Sequence, residues 1–444
     1  MRFLGIGQTN DLAAMYEGLQ RRGHEVRVVI EDPACHDVFE GILQRAQGWD
    51  TELGWVKAAG DDGMVLFESA TQGELQDALR AEGFQVIGGS ALGDRLEADR
   101  TFGQDVLKAA GLQVAQCHRF TSYEAGISFL LRRPARYVLK FNGASSERTR
   151  NYVGQSRDGA DVNALLSMYA GQRNATVEAG TEAIDFVLMD FIDGIEVGVG
   201  GYFNGHDFLE PVCVDFEHKR FFPGDLGELT GEMGTIVSYR QSGRLYETVL
   251  RPLAPMLREG GYCGYININL IANENGLWPL EFTCRFGYPG FAICEALHTD
   301  PWETIFRRML RRDSLRFGTK DGFACGVVLT VPPFPYRHGY AALSKGLPIF
   351  LDPAMTAQQR EHLHFAEVAL REGQLVASGS CGYLGVATGL GVTVADANRA
   401  ALELVRKVLV PNLRYRTDIG ARLSGGELQR LRSWGWLQGA PEMA

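Results

Sequence analysis

Three side chains near residue 280 have the types and the spacing for phosphate chemistry. The run Leu277–Pro289 reads L-W-P-L-E-F-T-C-R-F-G-Y-P. Read as a strand, it delivers Glu281, Thr283 and Arg285 at a period of two, which sets all three on one face. A carboxylate, a small oxygen ligand and a guanidinium on one face suit a magnesium–triphosphate group. The run therefore points to ATP chemistry. Other charged candidates lie elsewhere: Lys140 near the end of the apolar strand Tyr137–Phe141, and Arg100 within the helical pattern Arg95–Ala110. Lys219, Arg220 and Asp225 fall in a glycine-containing loop.

The elements that must position these groups alternate between strand and helix. Residues 2–6 read as a buried strand, followed by the turn Gly7-Gln8-Thr9-Asn10 and a helix to about Arg22. Gly23 ends that helix before the strand Glu25–Glu31, which makes a βαβ opening. A strand Met64–Phe67, a helix Gly73–Ala81 and a strand Phe84–Ile87 complete a small α/β unit. Gly5-Ile6-Gly7 begins like a dinucleotide fingerprint but lacks its third glycine, which favours a substrate or structural turn.

Beyond Ala110, strands are expected at Tyr137–Phe141, Phe186–Phe191, Glu196–Phe203, Leu209–Val214 and Gly264–Ile271. Two loops, Asn142–Gly159 and Glu217–Gly234, are bracketed by strands. Loops of that length in a compact domain are usually functional, and these read as lids. From about Asp321 the chain alternates strands and turns and closes with a helix over Val394–Val408.

Composition excludes some functions. The 444 residues carry a net charge of -10, which argues against a general nucleic-acid or membrane-surface binder. The exceptional cluster Arg307, Arg308, Arg311 and Arg312 has helical spacing and reads as a solvated helix face. A content of 45% hydrophobic and 22% charged residues fits a globular protein with substantial cores. The eight cysteines form no C-x-x-C and no zinc-spaced cluster, so free thiols in a reducing cytoplasm are expected. Met1 leads directly into a strand, and no apolar stretch approaches the roughly 20 residues that span a bilayer. A soluble, cytoplasmic protein is the expectation.

Several motifs carry a family resemblance. Leu96–Phe102, L-E-A-D-R-T-F, resembles L-E-G-S-K-A-F, and Asp190–Glu196, D-F-I-D-G-I-E, is similar to E-F-L-D-G-E-E. His218-Lys219-Arg220, Gly224–Gly227 and Thr230–Gly234 resemble H-K-R…G-D-T-G-P-N-T-G-G-M-G. Leu280–Pro289 resembles L-E-F-N-x-R-F-G-D-P, while Gly385-Val386 and Tyr415–Gly420 are similar to G-V-T and Y-R-x-D-I-G. The pattern is that of the phosphoribosylamine–glycine ligase (glycinamide ribonucleotide synthetase) family of ATP-grasp enzymes.

The resemblance implies an α/β (α+β) ATP-grasp fold. A Rossmann-like α/β domain would cover residues 1–95, and an ATP-grasp domain 96–320 with a lid at about 118–190. A β-rich C-terminal domain would cover 321–430, before a tail at 431–444. It implies ATP with Mg2+ or Mn2+, and a carboxylate joined to an amine through an acyl phosphate. Substrates would be small molecules, with no nucleic acid or membrane partner, on a monomer or homodimer.

The same resemblance implies that Arg100 and Lys140 bind phosphate. Asp190, Phe191, Ile192 and Glu196 would hold adenine and ribose, and Glu281 would bridge metal. Arg285 would hold phosphate or the acyl intermediate, while Lys219, Arg220 and Asp225 face the substrates. Thr283 stands where the family has a metal-binding asparagine. Asn267 and Asn269, on the neighbouring strand, are candidates to compensate, with plain strand polarity the alternative.

Four departures set this chain apart from that pattern. The family's opening G-G-R-E-H-A is Gln8–Ala13, Q-T-N-D-L-A, without its cation and imidazole. The lid reads N-G-A-S-S-E-R-T-R over residues 142–150 in place of G-x-x-A-G-K-G-V, with Arg148 and Arg150 as candidate substitutes. Thr283 is the third. Tyr288 for aspartate and Glu232 for glycine are the fourth. Changes clustered on substrate-facing parts imply a ligase with a different amine or acid. The purine-biosynthetic ligase itself is the alternative, and a non-catalytic nucleotide-binding scaffold is a reading from another class.

Overall fold

The computed structural model describes residues 1–141, 151–175 and 184–438. The amino-terminal strands β1 (Arg2–Gly7), β2 (Glu25–Ile30), β3 (Gln44–Arg45), β4 (Gly63–Phe67) and β5 (Gln85–Ile87) form a parallel sheet in the order β3-β2-β1-β4-β5. Beyond Arg2, its central strands β1 and β4 are apolar and buried, as a sheet covered on both faces requires. The helical pattern expected over Arg95–Ala110 is interrupted. Helices Ser90–Ala98 and Arg100–Ala109 meet at Asp99, whose carboxylate caps the second by accepting from the Phe102 N–H at 3.0 Å.

A second unit is built on β6 (Cys117–Phe120), β7 (Tyr137–Phe141), β8 (Tyr152–Val153) and β9 (Phe186–Asp190), in the order β6-β9-β7-β8. Helices Tyr123–Arg132 and Ala160–Ala175 accompany it. Tyr123, Leu130, Leu139, Val162, Leu166 and Phe186 are buried there in a core of their own. The expected lid sequence 142–150, with Arg148 and Arg150, lies outside the described residues.

The third unit is an eight-stranded antiparallel sheet. Its chain order is β10 (Ile195–Phe203), β11 (Cys213–Glu217), then β12 (Arg220–Phe222) and β13 (Leu226–Leu229) as a separate hairpin, then β14 (Gly234–Ser238), β15 (Gly264–Asn273), β16 (Gly276–Thr283) and β17 (Phe323–Thr330). The short strands β18 (Phe350–Leu351), β20 (Val368–Arg371) and β21 (Gln374–Ala377) pair outside the sheet, which β19 (Leu363–Phe365) and β22 (Tyr383–Gly391) complete. Its order is β16-β15-β10-β11-β14-β17-β22-β19. Strands from both sides of residue 320 thus share one ladder.

Two expectations need correction. The strand placed at Leu209–Val214 runs over Cys213–Glu217, because Pro211 has no N–H to give a ladder and pairing starts only beyond it. The stretch Glu217–Gly234 is not a plain loop, since Arg220 pairs with Leu229 and Phe222 with Leu226 in a hairpin. The arginine-rich helix Trp302–Arg311 does bury its apolar face, through Trp302, Ile305, Phe306 and Met309. Arg307 and Arg308 bond Asp62 and Asp300. All eight cysteines are free. Among the described residues no helix is long and apolar enough to cross a membrane.

Candidate active site

Strand β10 carries the reason a cavity opens over the large sheet. It reads I-E-V-G-V-G-G-Y-F, and its partners are β15 on one side and β11 on the other. Gly198 pairs with Asn269 and Asp215, and Gly200 with Asn267 and Cys213. Residues paired directly share a face, so side chains from the two flanking strands meet above a lane of glycine. A Cβ at Gly198 would lie 2.1 Å from Asp215 Oδ1, and one at Gly200 would lie 2.1 Å from Tyr265 Oη. Glycine is what leaves that space free.

Two rungs cross the lane. The Asn267 amide donates to Asp215 Oδ2 at 2.5 Å, and the Asn269 amide donates to Glu217 Oε2 at 3.0 Å. Beside the second rung stands Lys219, whose ammonium lies 2.7 Å from Glu196, 3.2 Å from Glu217 and 3.4 Å from Glu281. Burial works against that charge, but the three carboxylates outweigh it and hold the ammonium well above its ordinary range. In return Lys219, aided by Lys140 and Arg100, pulls Glu281 down to about 2 against the effect of burial.

All these groups line one cavity of about 1490 Å³. Arg100, Lys140, Asp190, Phe191, Ile192, Glu196, Lys219, Arg220, Asp225, Asn267, Asn269, Glu281, Thr283 and Arg285 all reach it. Lys140 has no ion-pair partner among the described residues, and burial lowers its pKa. Arg100 sits in the first turn of its helix, where a cation is disfavoured by the dipole, and its buried Nη1 has no hydrogen-bond partner. Two cations without ion-paired carboxylates among the described residues are what a bound polyanion needs.

The strand reading of the 280 region holds only to its end. Strand β16 stops at Thr283, and a bulge shifts its register, with Asn269 opposite Glu281 but Leu270 opposite Pro279. Arg285 therefore does not continue the alternation with Glu281 and Thr283. It lies past the strand end, 3.3 Å from Glu97.

In the hairpin region, Arg220 donates to the Gly227 carbonyl at 2.7 Å. Asp225 accepts from the buried Arg416 at 3.0 Å and from Arg422 at 2.9 Å. Phe191 is covered by the Arg136 guanidinium, 3.5 Å from its ring centroid, and Asp190 lies 3.7 Å from His118.

Three carboxylates escaped the sequence reading as site groups: Glu97, Asp215 and Glu217. Glu217 and Asp215 had a signal, since Cys213, Asp215 and Glu217 alternate and must share a face once the strand is placed correctly. Burial pushes Glu217 upward and Asp215 well upward. Glu232 accepts from the Thr235 hydroxyl, and burial, then Glu217 and Asp215, raise it well above the carboxylate range.

Among the described residues no three His, Cys, Asp or Glu side chains form a metal cluster. The donors present nonetheless suit magnesium, which takes one or two carboxylates and completes its shell from water and substrate phosphates. Glu281 and Glu217 would supply the carboxylates, and the buried Oδ1 of Asn269 has no hydrogen-bond partner.

Comparison with known proteins agrees with this geometry. Residues 98–291 match the family model described as "Phosphoribosylglycinamide synthetase, ATP-grasp (A) domain". The chain is 28% identical over 364 residues to the phosphoribosylamine–glycine ligase of Haemophilus influenzae, covering 80% of this chain and 81% of that one. The crystal structure of the Thermotoga maritima phosphoribosylamine–glycine ligase superposes with a TM-score of 0.69 at 22% identity, covering 94% of this chain and all of that one. The biotin carboxylase domain of the Hydrogenobacter thermophilus 2-oxoglutarate carboxylase, solved with MgADP and bicarbonate, superposes with a TM-score of 0.61 at 13% identity, over 93% of this chain and 91% of that one.

Proposed function

We infer that this chain, an ATP-grasp protein related to the phosphoribosylamine–glycine ligases, is an ATP-dependent carboxylate–amine ligase. It would join an acid to an amine through an acyl phosphate and release ADP and phosphate. The observation that carries this reading is the gathering of Arg100, Lys140, Lys219 and Glu281 around one cavity. A carboxylate attacking a triphosphate brings like charges together, and fixed cations must offset that repulsion.

In this reading Arg100 and Lys140 take phosphate charge, and Phe191 and Ile192 contact adenine while Asp190 and Glu196 face the ribose side. Glu281 and Glu217, with Asn269 Oδ1 and the Thr283 hydroxyl, would hold magnesium. When bound, that ion draws charge from the phosphate oxygens. Arg285, fixed by Glu97, holds the acid. Lys219, Arg220 and Asp225 shape the mouth facing the substrates. The unit over about 118–190, with its separate core, closes to keep water from the acyl phosphate.

A substrate pair other than phosphoribosylamine and glycine is supported by three features. Gln8–Ala13 offers no cation for a phosphate, Tyr288 stands in place of an aspartate, and Glu232 adds a buried acid beside Thr235. The names of the relatives favour a second reading, that the protein is phosphoribosylamine–glycine ligase itself.

One assay tests both readings: ADP release from Mg-ATP, beside Glu281→Gln. It is run first with glycine and freshly generated phosphoribosylamine, then with pooled amino acids and amines. Release only with the pools supports altered specificity. Release only with the first pair overturns it in favour of the second reading. ATP bound but never cleaved would remove the ligase assignment.

A further inference from the structure

The cavity continues past the phosphate-facing groups into a buried, acidic end. Stepping along β15 and β11 away from Glu281 leads from the Asn269–Glu217 rung to the Asn267–Asp215 rung. Asp215 is 6% exposed, Asn267 6%, and Glu232 9%, yet all three line the cavity. Asp215 Oδ1 and Asn267 Oδ1 are buried without a hydrogen-bond partner. Each already spends its other polar atom on the rung between them. Glu232 receives only the Thr235 hydroxyl, and no cation bonds to Asp215 or Glu232 among the described residues.

The neighbouring cations make their bonds elsewhere. Lys219 is shared by Glu196, Glu217 and Glu281, and Arg285 is paired with Glu97. Unpaired buried acids and orphaned carbonyl oxygens are costly, and native proteins keep them where a ligand completes them.

We propose that this end of the cavity is the subsite for a primary ammonium group of the substrate, received by Asp215 Oδ1, Asn267 Oδ1 and the Glu232 carboxylate. The inference rests on the ligase reading above and deepens it by naming the charge at one end of the substrate. An ammonium carries three donors and no acceptor, which matches three acceptors with no donor left over. An anionic group is excluded here by two buried carboxylates.

The test is calorimetric titration of the full-length protein with a non-hydrolysable ATP analogue and magnesium present. Glycine, β-alanine and putrescine are titrated beside acetate, propionate and 1,4-butanediol, which lack the amino groups. At least one amine should bind at least tenfold more tightly than its amine-free counterpart. Asp215→Asn and Glu232→Gln should each cut that affinity at least tenfold while the nucleotide still binds.

No amine dependence anywhere in the panel overturns the proposal, and that comparison needs only the wild-type protein. Unchanged amine affinity in both variants overturns it as well. So does displacement of the amine by potassium or magnesium salts alone, which would make this an inorganic cation site. ADP release without amine-dependent binding sinks this inference and spares the ligase reading. The reverse result sinks the ligase reading alone.

Discussion

The Asn267 amide and the Asp215 carboxylate meet at 2.5 Å across a strand to which neither belongs. They reach each other because β10 presents Gly198 and Gly200 between them, so the polar floor of the cavity depends on two absent side chains. Filling the lane should be costly. Gly198→Ala and Gly200→Ala are each expected to lower the unfolding free energy by about 1–3 kcal/mol through overpacking. Urea denaturation measures this, and two neutral substitutions would refute the account of the lane.

Lys219 is the counter-charge that Glu196, Glu217 and Glu281 share. Lys219→Met should leave three carboxylates without a shared counter-charge. Magnesium alone should then raise the melting temperature of the variant more than that of the wild type, while ADP release falls by about 100-fold or more. Equal magnesium shifts in the two proteins would mean that the lysine does not screen these acids.

Arg416 is 1% exposed and ties its own segment to the hairpin β12–β13. It donates to Asp418, to Asp225 at 3.0 Å and to the Arg220 carbonyl at 2.9 Å. Arg416→Ala leaves its acidic partners facing an empty site, and a loss of about 3 kcal/mol is expected. Arg416→Lys keeps the charge without the planar fork and should recover only part of it. Full recovery in the lysine variant would show that charge alone matters.

Acid should unfold the protein partly through His218. Its ring is buried and accepts from the Gly420 N–H at 3.0 Å, which requires a neutral nitrogen. Burial, then Arg422 and Arg416, lower its pKa to about 4, against about 6.5 in the unfolded chain. The unfolded state thus binds the proton first. The contribution is fully present above pH 6.5 and is lost as pH falls through 4, with a span on the order of 3 kcal/mol. His218→Gln should therefore lose less stability than the wild type between pH 7 and pH 4. Parallel curves would contradict this assignment.

The sequence was legible where chemistry follows a short period. Glu281 and Thr283 could be placed on one face because alternation in a strand is local, and the β1–β5 unit followed from apolar runs separated by glycine turns. Arg285 could not, because its position depends on where β16 ends. Asp215 and Glu217 were hidden by a strand placed too early, across Pro211.

The glycines of β10 carried a readable hint, since glycine inside a strand often marks a close approach of other groups. Which groups approach depends on pairing with β11 and β15, about 15 and 70 residues further along the chain. Periodicity within one strand carries no information about its neighbours.

The sheet that floors the cavity does not respect the order in which the chain is read. β14 takes its outer hydrogen bonds from β17, and β17 takes its own from β22, so residues beyond 320 act as the selvedge of the same cloth. A chimera joined at that point would inherit two half-ladders made for different partners. Exchange of substrate-binding parts between relatives is therefore safest within the hairpin β12–β13 with Asp225 kept for Arg416, where a graft leaves every long strand paired with its own.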